Sequence, residues 1–549
     1  MKKLVNLLLI LLVLLTLVGC TKEPNNNNND PTPPDENDEP IVEVEEVKRI
    51  LDAQGNFGGT INRTKYGYGA PLNGESDISD SIYYPDNDFY NMKSSDRRII
   101  FNKFQTYQQT MKDSGGIATA LMILNHQEED VYNQYTEVNL VELYEQINET
   151  EIYGNGTTAL GIEKLFKELG YHATSGIYQD IAGTVTEKIA NFIRWISIQL
   201  NAGRYVMVRF QDAHEFGWHV IIGIDSMGSD ESTIYDKTLI MADPYDVIDH
   251  RQDGYFIQPA QRFFRWWLNV SKSGATTDEF DCVVVYPKFP PTFVKEEDDQ
   301  TVTREIPERH LILNADGSFG GTRDAAKWGA ISLGNGESDR LFTTYHNFLD
   351  YYNFTNTESR IILPNYQAFQ QTMASSCGIC SVLSVLNYYK EDVYNTYDEV
   401  YLVQKYEEIN NTTIYNRGVG SAGLKKLVES FGYTATARSY SQANYVDENS
   451  MIFSTYDSFL SFVIENLSKG TPIPISWRPR GGHWVTIIGI DTMGTDNIYD
   501  DVIILADSND IWDHYQDGYN TLPATLFYRQ WYNGSFTYNQ QHVVFDKKQ

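Results

Sequence analysis

Residues 371–380 read Gln371-Thr372-Met373-Ala374-Ser375-Ser376-Cys377-Gly378-Ile379-Cys380, and Ile379, Val382, Leu383 and Leu386 then follow at helical spacing. That periodicity predicts a buried helix over 376–389, starting at Ser376 or Cys377. A cysteine on the first turn of a helix meets unpaired backbone N–H groups and the positive end of the helix dipole. Its thiol ionises more readily there, and the thiolate is the form that attacks. Cys380 lies one turn further in, where a small packing residue is the expected role.

Downstream of this helix, the pattern predicts further helices near 397–409, 421–431 and 456–468. Strands follow at 472–477, 484–490 and 502–506, with a last one near 541–545. Helices first and an antiparallel sheet after is an α+β order. His483 begins one of these strands and Asp507 ends the next. If the two strands form an antiparallel hairpin, the start of the first lies beside the end of the second, which brings imidazole and carboxylate together.

Working outward, the chain is written twice. Gly55-Asn56-Phe57-Gly58-Gly59-Thr60 recurs as Gly317-Ser318-Phe319-Gly320-Gly321-Thr322. Asn73 to Asp77 (NGESD) recurs as Asn335 to Asp339, and Glu129 to Asn133 (EDVYN) as Glu391 to Asn395, always 262 positions on. Later, Ile221 to Asp225 (IIGID) recurs as Ile487 to Asp491, and Asp249-His250 as Asp513-His514. A unit of about 240 residues is too long for a solenoid repeat, so two whole domains in tandem are expected. The expected boundaries are a leader at 1–20, a linker at 21–46, a first module at 47–291, a linker at 292–305 and a second module at 306–549. Pro290-Pro291 and the acidic run Glu296 to Asp299 mark the junction.

The string Gln371…Cys377-Gly378, followed by Gly482-His483-Trp484 and Ala506-Asp507, resembles the papain-like cysteine peptidases. Within that group it is most similar to the bacteriocin-processing, double-glycine-type family and related secreted domains. The resemblance implies two tandem papain-like domains, each a helical part with a buried nucleophile helix packed on an antiparallel sheet. It implies that Cys377 attacks a peptide carbonyl, His483 shuttles the proton, Asp507 orients His483, and Gln371 stabilises the oxyanion, with no cofactor or metal. The family's glutamine stands six residues before the nucleophile, which selects Cys377, because six before Cys380 is Ala374. The family often carries Asp-Pro after the last core strand; the first copy has Asp243-Pro244, whereas the second has Asp507-Ser508.

The first copy departs from this pattern. Gln109 matches Gln371, but Gly115 stands at the cysteine and Gly217 at the histidine. His219 falls two residues further along the strand, about 7 Å deeper by strand rise. Asp243 is then expected to have no partner to orient. The first module is expected to be catalytically dead and to serve binding, docking on the second module, or spacing.

At the N-terminus, Lys2-Lys3, the apolar run Leu4 to Val18 and Leu17-Val18-Gly19-Cys20 make a secretory signal. The last four residues resemble the lipobox of bacterial lipoproteins, which implies cleavage before Cys20 and lipid on its sulfur. The run is shorter than the roughly 20 residues that a membrane span requires. The expected location is the extracellular face of the bacterial membrane, with the lipid as anchor. Residues 21–41 are rich in Asn, Pro and acid, the composition of a disordered spacer.

A net charge of −31 and a pI near 4.6 argue against nucleic acid, which is bound through Lys and Arg. The partner expected instead is a peptide or protein substrate. Two other readings stay open: a non-catalytic binding lipoprotein, and a thiol-disulfide oxidoreductase using Cys377-Gly378-Ile379-Cys380 as a CxxC motif.

Overall fold

All nine residues of the strand His483–Asp491 are buried. A strand covered on both faces must lie inside a sheet with helices on either side, and this one organises the C-terminal half of the chain. The computed structural model describes residues 81–546, apart from 86, 129–133, 180–181, 212–215, 229–233, 235, 247–252, 273–279, 290–291, 296–344, 390–395, 442–451, 478–481, 511–514, 516 and 533–537. The leader with Cys20, the NGESD, EDVYN and Asp-His repeats, and most of the expected 292–305 linker lie outside the described residues.

In chain order, the N-terminal half contains β1 (Arg98–Ile100), α1 (Gly115–Gln127), α2 (Glu137–Asn148), α3 (Ala159–Glu168), β2 (Ala173–Ser175), α4 (Val185–Asn201), β3 (Tyr205–Gln211), β4 (Phe216–Asp225), β5 (Thr238–Ala242), β6 (Tyr255–Pro259), α5 (Ala260–Lys272) and β7 (Cys282–Val285). The C-terminal half contains β8 (Arg360–Ile362), α6 (Cys377–Tyr389), α7 (Glu399–Asn410), α8 (Ser421–Ser430), β9 (Ala435–Ser441), α9 (Tyr456–Ser468), β10 (Ile473–Trp477), β11 (His483–Asp491), β12 (Val502–Ala506), β13 (Tyr519–Pro523), α10 (Ala524–Tyr532) and β14 (Tyr538–Phe545). The first sheet runs β2-β7-β3-β4-β5-β6 with β1 on β4; the second runs β9-β14-β10-β11-β12-β13 with β8 on β11. The two orders correspond strand for strand, and every pairing is antiparallel.

In the second sheet, α6, α7 and α8 form one packed group, with α6 against β11, while α9 and α10 form another. Helix starts follow local chemistry. The Asp398 side chain accepts from the Tyr401 N–H to cap α7, and Thr455 and Ser458 form a reciprocal capping box at α9. The periodicity places the helices well, but it misses the short strand β8, the edge strand β9, the strand β13 and α10. In β9, Thr436 and Arg438 are exposed and only β14 pairs with it, so its apolar signal is weak. In β13, Pro523 argues locally against a strand, and it is tolerated because it is the last residue.

The halves touch through a reciprocal contact. Tyr83 from the N-terminal half donates to Asp491 Oδ2 at 3.1 Å and accepts from Arg360 Nη1 at 3.2 Å. Tyr345 from the C-terminal half donates to Asp225 Oδ2 at 3.2 Å and accepts from Arg98 Nη1 at 3.2 Å. In both places the arginine also lies 3.6 Å from the aspartate.

Candidate active site

Cys377 is the first residue of α6 and is 7% exposed. The turn before it is held from below. The buried Glu399 carboxylate accepts the N–H groups of Thr372 and Met373, the Thr372 hydroxyl at 2.5 Å and the Ser376 hydroxyl at 2.6 Å. Ser376 also donates to the Met373 carbonyl at 2.8 Å, and Ser375 takes the left-handed conformation at φ 69°. Burial pushes the Glu399 carboxyl up, and these donors only partly oppose it. The residue after the cysteine must be small, because a Cβ at Gly378 would lie 2.3 Å from Val419 Cγ2.

His483 opens β11 directly after Gly482, whose φ of +94° suits only glycine. Register then determines what the imidazole meets. Thr486 pairs with Ala506, so Val485 lies opposite Asp507 and His483 sits diagonal to it on the same face. A ring spans that diagonal: His483 Nε2 lies 2.5 Å from Asp507 Oδ1. Asp507 is fully buried and also accepts from the Asn509 N–H at 2.8 Å.

With Nε2 engaged by Asp507, Nδ1 is left for the Cys377 thiol, which hydrogen-bonds the ring. Burial pushes the thiol up. The hydrogen bond and charge of His483, helped by the N–H groups of Trp484 and Gly378, more than reverse that, and the thiol ends below its ordinary value. Burial likewise pulls His483 down, and Asp507 and Cys377 more than reverse it, so the imidazole ends above its ordinary value. Both shifts favour a thiolate beside an imidazolium. Cys380 behaves oppositely: it is fully buried, and burial holds its thiol well above the ordinary range.

Gln371 is 3% exposed. Its Nε2 donates to the Met373 carbonyl at 3.1 Å, its Oε1 accepts from the Ser508 hydroxyl at 2.9 Å, and its backbone N–H donates to the Ser508 carbonyl at 2.8 Å. The structure thus brings Cys377, His483 and Asp507 together, with Gln371 tied to the residue that follows Asp507.

Sequence reasoning missed Glu399 and Ser508. A signal for Glu399 existed, since Thr110, Ser114 and Glu137 recur at the same mutual spacing as Thr372, Ser376 and Glu399. Glu137 makes the same bonds, to Thr110 Oγ1 and Ser114 Oγ at 2.6 Å each.

In the N-terminal half, Gly115 opens α1, and a Cβ there would lie 3.0 Å from Gln109 Oε1. One expectation needs correction: Asp243 does have a partner. His219 Nε2 lies 3.3 Å from Asp243 Oδ2, and both residues are buried. Val220 pairs with Ala242, so His219 falls directly opposite Asp243, where His483 is diagonal to Asp507. The carboxylate draws the deeper histidine without needing one at 217. His219 also packs against Phe210, with ring centroids 4.4 Å apart, inside the aromatic core.

No curated protein matches the chain. Residues 363–538, which include Gln371, Cys377, His483 and Asp507, match the model of the Peptidase_C39 like family, and this relates the C-terminal half of the chain to the C39, papain-like cysteine peptidases.

Proposed function

We propose that the chain is a secreted, lipid-anchored cysteine peptidase whose second module hydrolyses peptide bonds through Cys377, His483 and Asp507. The observation that carries this reading is the helix-capping thiol hydrogen-bonded to an imidazole that a buried carboxylate holds at 2.5 Å. The Cys377 thiolate adds to the scissile carbonyl carbon, and the π pair moves to oxygen. Gln371 Nε2–H and the Cys377 N–H donate to that oxyanion. As the C–N bond breaks, His483 gives its proton to the leaving amine and a thioester remains. Water then adds to the thioester with its proton passing to His483. The C–S bond breaks, the acid leaves and the thiolate–imidazolium pair returns. Asp507 keeps Nδ1 of the ring turned to sulfur throughout.

The first module is proposed to be a degenerate peptidase that docks on the second. It has glycine at both the nucleophile and histidine positions, Gly115 and Gly217. Its buried His219–Asp243 pair is read as core structure. Cys20 is proposed to carry the lipid, which loss of fatty-acid incorporation in Cys20→Ser would test.

Peptide-library cleavage by the intact protein tests the enzyme reading. Cleavage is expected from the wild type and none from Cys377→Ala. Identical product patterns from the two would end the proposal.

A further inference from the structure

The two halves hold their corresponding glutamines alike at one end of the amide and differently at the other. Gln109 Nε2 donates to Met111 O at 3.2 Å and Gln371 Nε2 to Met373 O at 3.1 Å. Each backbone N–H reaches the same neighbour, the carbonyl of Pro244 or of Ser508, at 2.8 Å. Only the C-terminal half places a hydroxyl there. Ser508, 5% exposed, donates it to Gln371 Oε1 at 2.9 Å, whereas proline has none to give.

We propose that Ser508 is a positioning residue for the reaction, locking and polarising the Gln371 amide so that its remaining Nε2–H faces the developing oxyanion. This rests on the peptidase reading above. The argument is one of donors and acceptors. An amide has one acceptor oxygen and two N–H groups. A carbonyl such as that of Met373 can face only the nitrogen end, which decides the flip. The oxygen end is then buried and calls for a donor, which Ser508 supplies. A bond accepted at Oε1 draws charge from nitrogen and strengthens its free N–H as a donor. Cys377 lies outside this chain of bonds, so the thiol and the oxyanion donor can be tested separately.

The test uses two single-turnover reactions of Cys377 in the full chain. In acylation by p-nitrophenyl acetate, sulfur bonds to the acetyl carbon through an oxyanion and p-nitrophenolate leaves. In alkylation by iodoacetamide, sulfur displaces iodide with no oxyanion. Ser508→Ala and Ser508→Pro are expected to slow acylation about tenfold, a fraction of the 10²–10³ typical of losing an oxyanion donor outright. Alkylation should stay within about twofold, Ser508→Thr should restore acylation, and Ser508→Ala should add nothing in a Gln371→Ala background. Unchanged acylation, equal slowing of both reactions, or a full additional loss beside Gln371→Ala would each overturn the proposal. A wild-type Cys377 that alkylates no faster than Cys282 at pH 6 would instead sink the peptidase reading, and the acylation-to-alkylation ratio would still judge Ser508.

Discussion

At the residue scale, the thiol and the imidazole shift in opposite directions, and that sets a pH window. Cys377 is lowered and His483 raised, so the ion pair exists between those two values. Burial pushes the Cys282 thiol up to about 11. Iodoacetamide at pH 6 should therefore modify Cys377 at least about a hundredfold faster than Cys282, as measured by peptide mapping. Asp507→Asn removes the charge that keeps His483 protonated. Labelling at pH 6 should slow by about tenfold, and kcat should fall by about a hundredfold or more. Labelling that ignores this substitution would mean that Asp507 does not hold the imidazole. Cys377, His483 and Asp507 were legible in sequence because each occupies an element end whose position follows from periodicity. Ser508 was not, since its bond joins residues 137 positions apart.

At the element scale, the start of α6 depends on a carboxylate borrowed from α7. Glu399→Ala would leave two buried N–H groups and two hydroxyls without their acceptor, at a cost of about 3 kcal/mol in urea unfolding. Glu399→Gln should cost less and alter the pH dependence. The folded-state carboxyl is raised above its unfolded value of about 4.3. The native state then binds the proton more tightly, so this group's contribution is fully present at low pH and declines as pH rises through the folded value. Stability of Glu399→Gln should lack that decline, and an unchanged pH slope would show the carboxyl to be unshifted. Gly378→Ala should also destabilise, by about 1–3 kcal/mol, because the added methyl meets Val419. These elements were visible as periodic patterns. The edge strand β9 and the Pro-ended β13 were not, because their local residues contradict the strands that pairing imposes.

At the scale of the whole molecule, the halves clasp one another through matching tyrosines. Tyr83 reaches Asp491 at the far end of the strand that His483 begins, and Tyr345 reaches Asp225 at the end of β4. Removing either hydroxyl leaves a buried Arg–Asp pair short of a partner. Tyr83→Phe and Tyr345→Phe should each destabilise the full chain by about 1 kcal/mol, seen as a lower Tm. Tyr83→Ala should cost more through lost packing on Phe354, whose ring lies 6.4 Å away. A Tm untouched by all three would mean that the clasp contributes nothing to stability. This contact gives the first module a physical role as a docked neighbour of the candidate catalytic strand.

What the chain's letters determined by themselves was local or repeated. They set the helix capped by Cys377, the hairpin joining His483 to Asp507, and the presence of two corresponding halves, because periodicity and recurrence need no knowledge of distant contacts. Tertiary structure alone decided which side chains meet across the sheet and between the halves. A register set by strand pairing put His219 opposite Asp243. Folding also carried Glu399 beneath the turn before Cys377, Ser508 onto Gln371, and each tyrosine onto the other half's arginine and aspartate. Those contacts join residues far apart in the chain, so no window of sequence contains them.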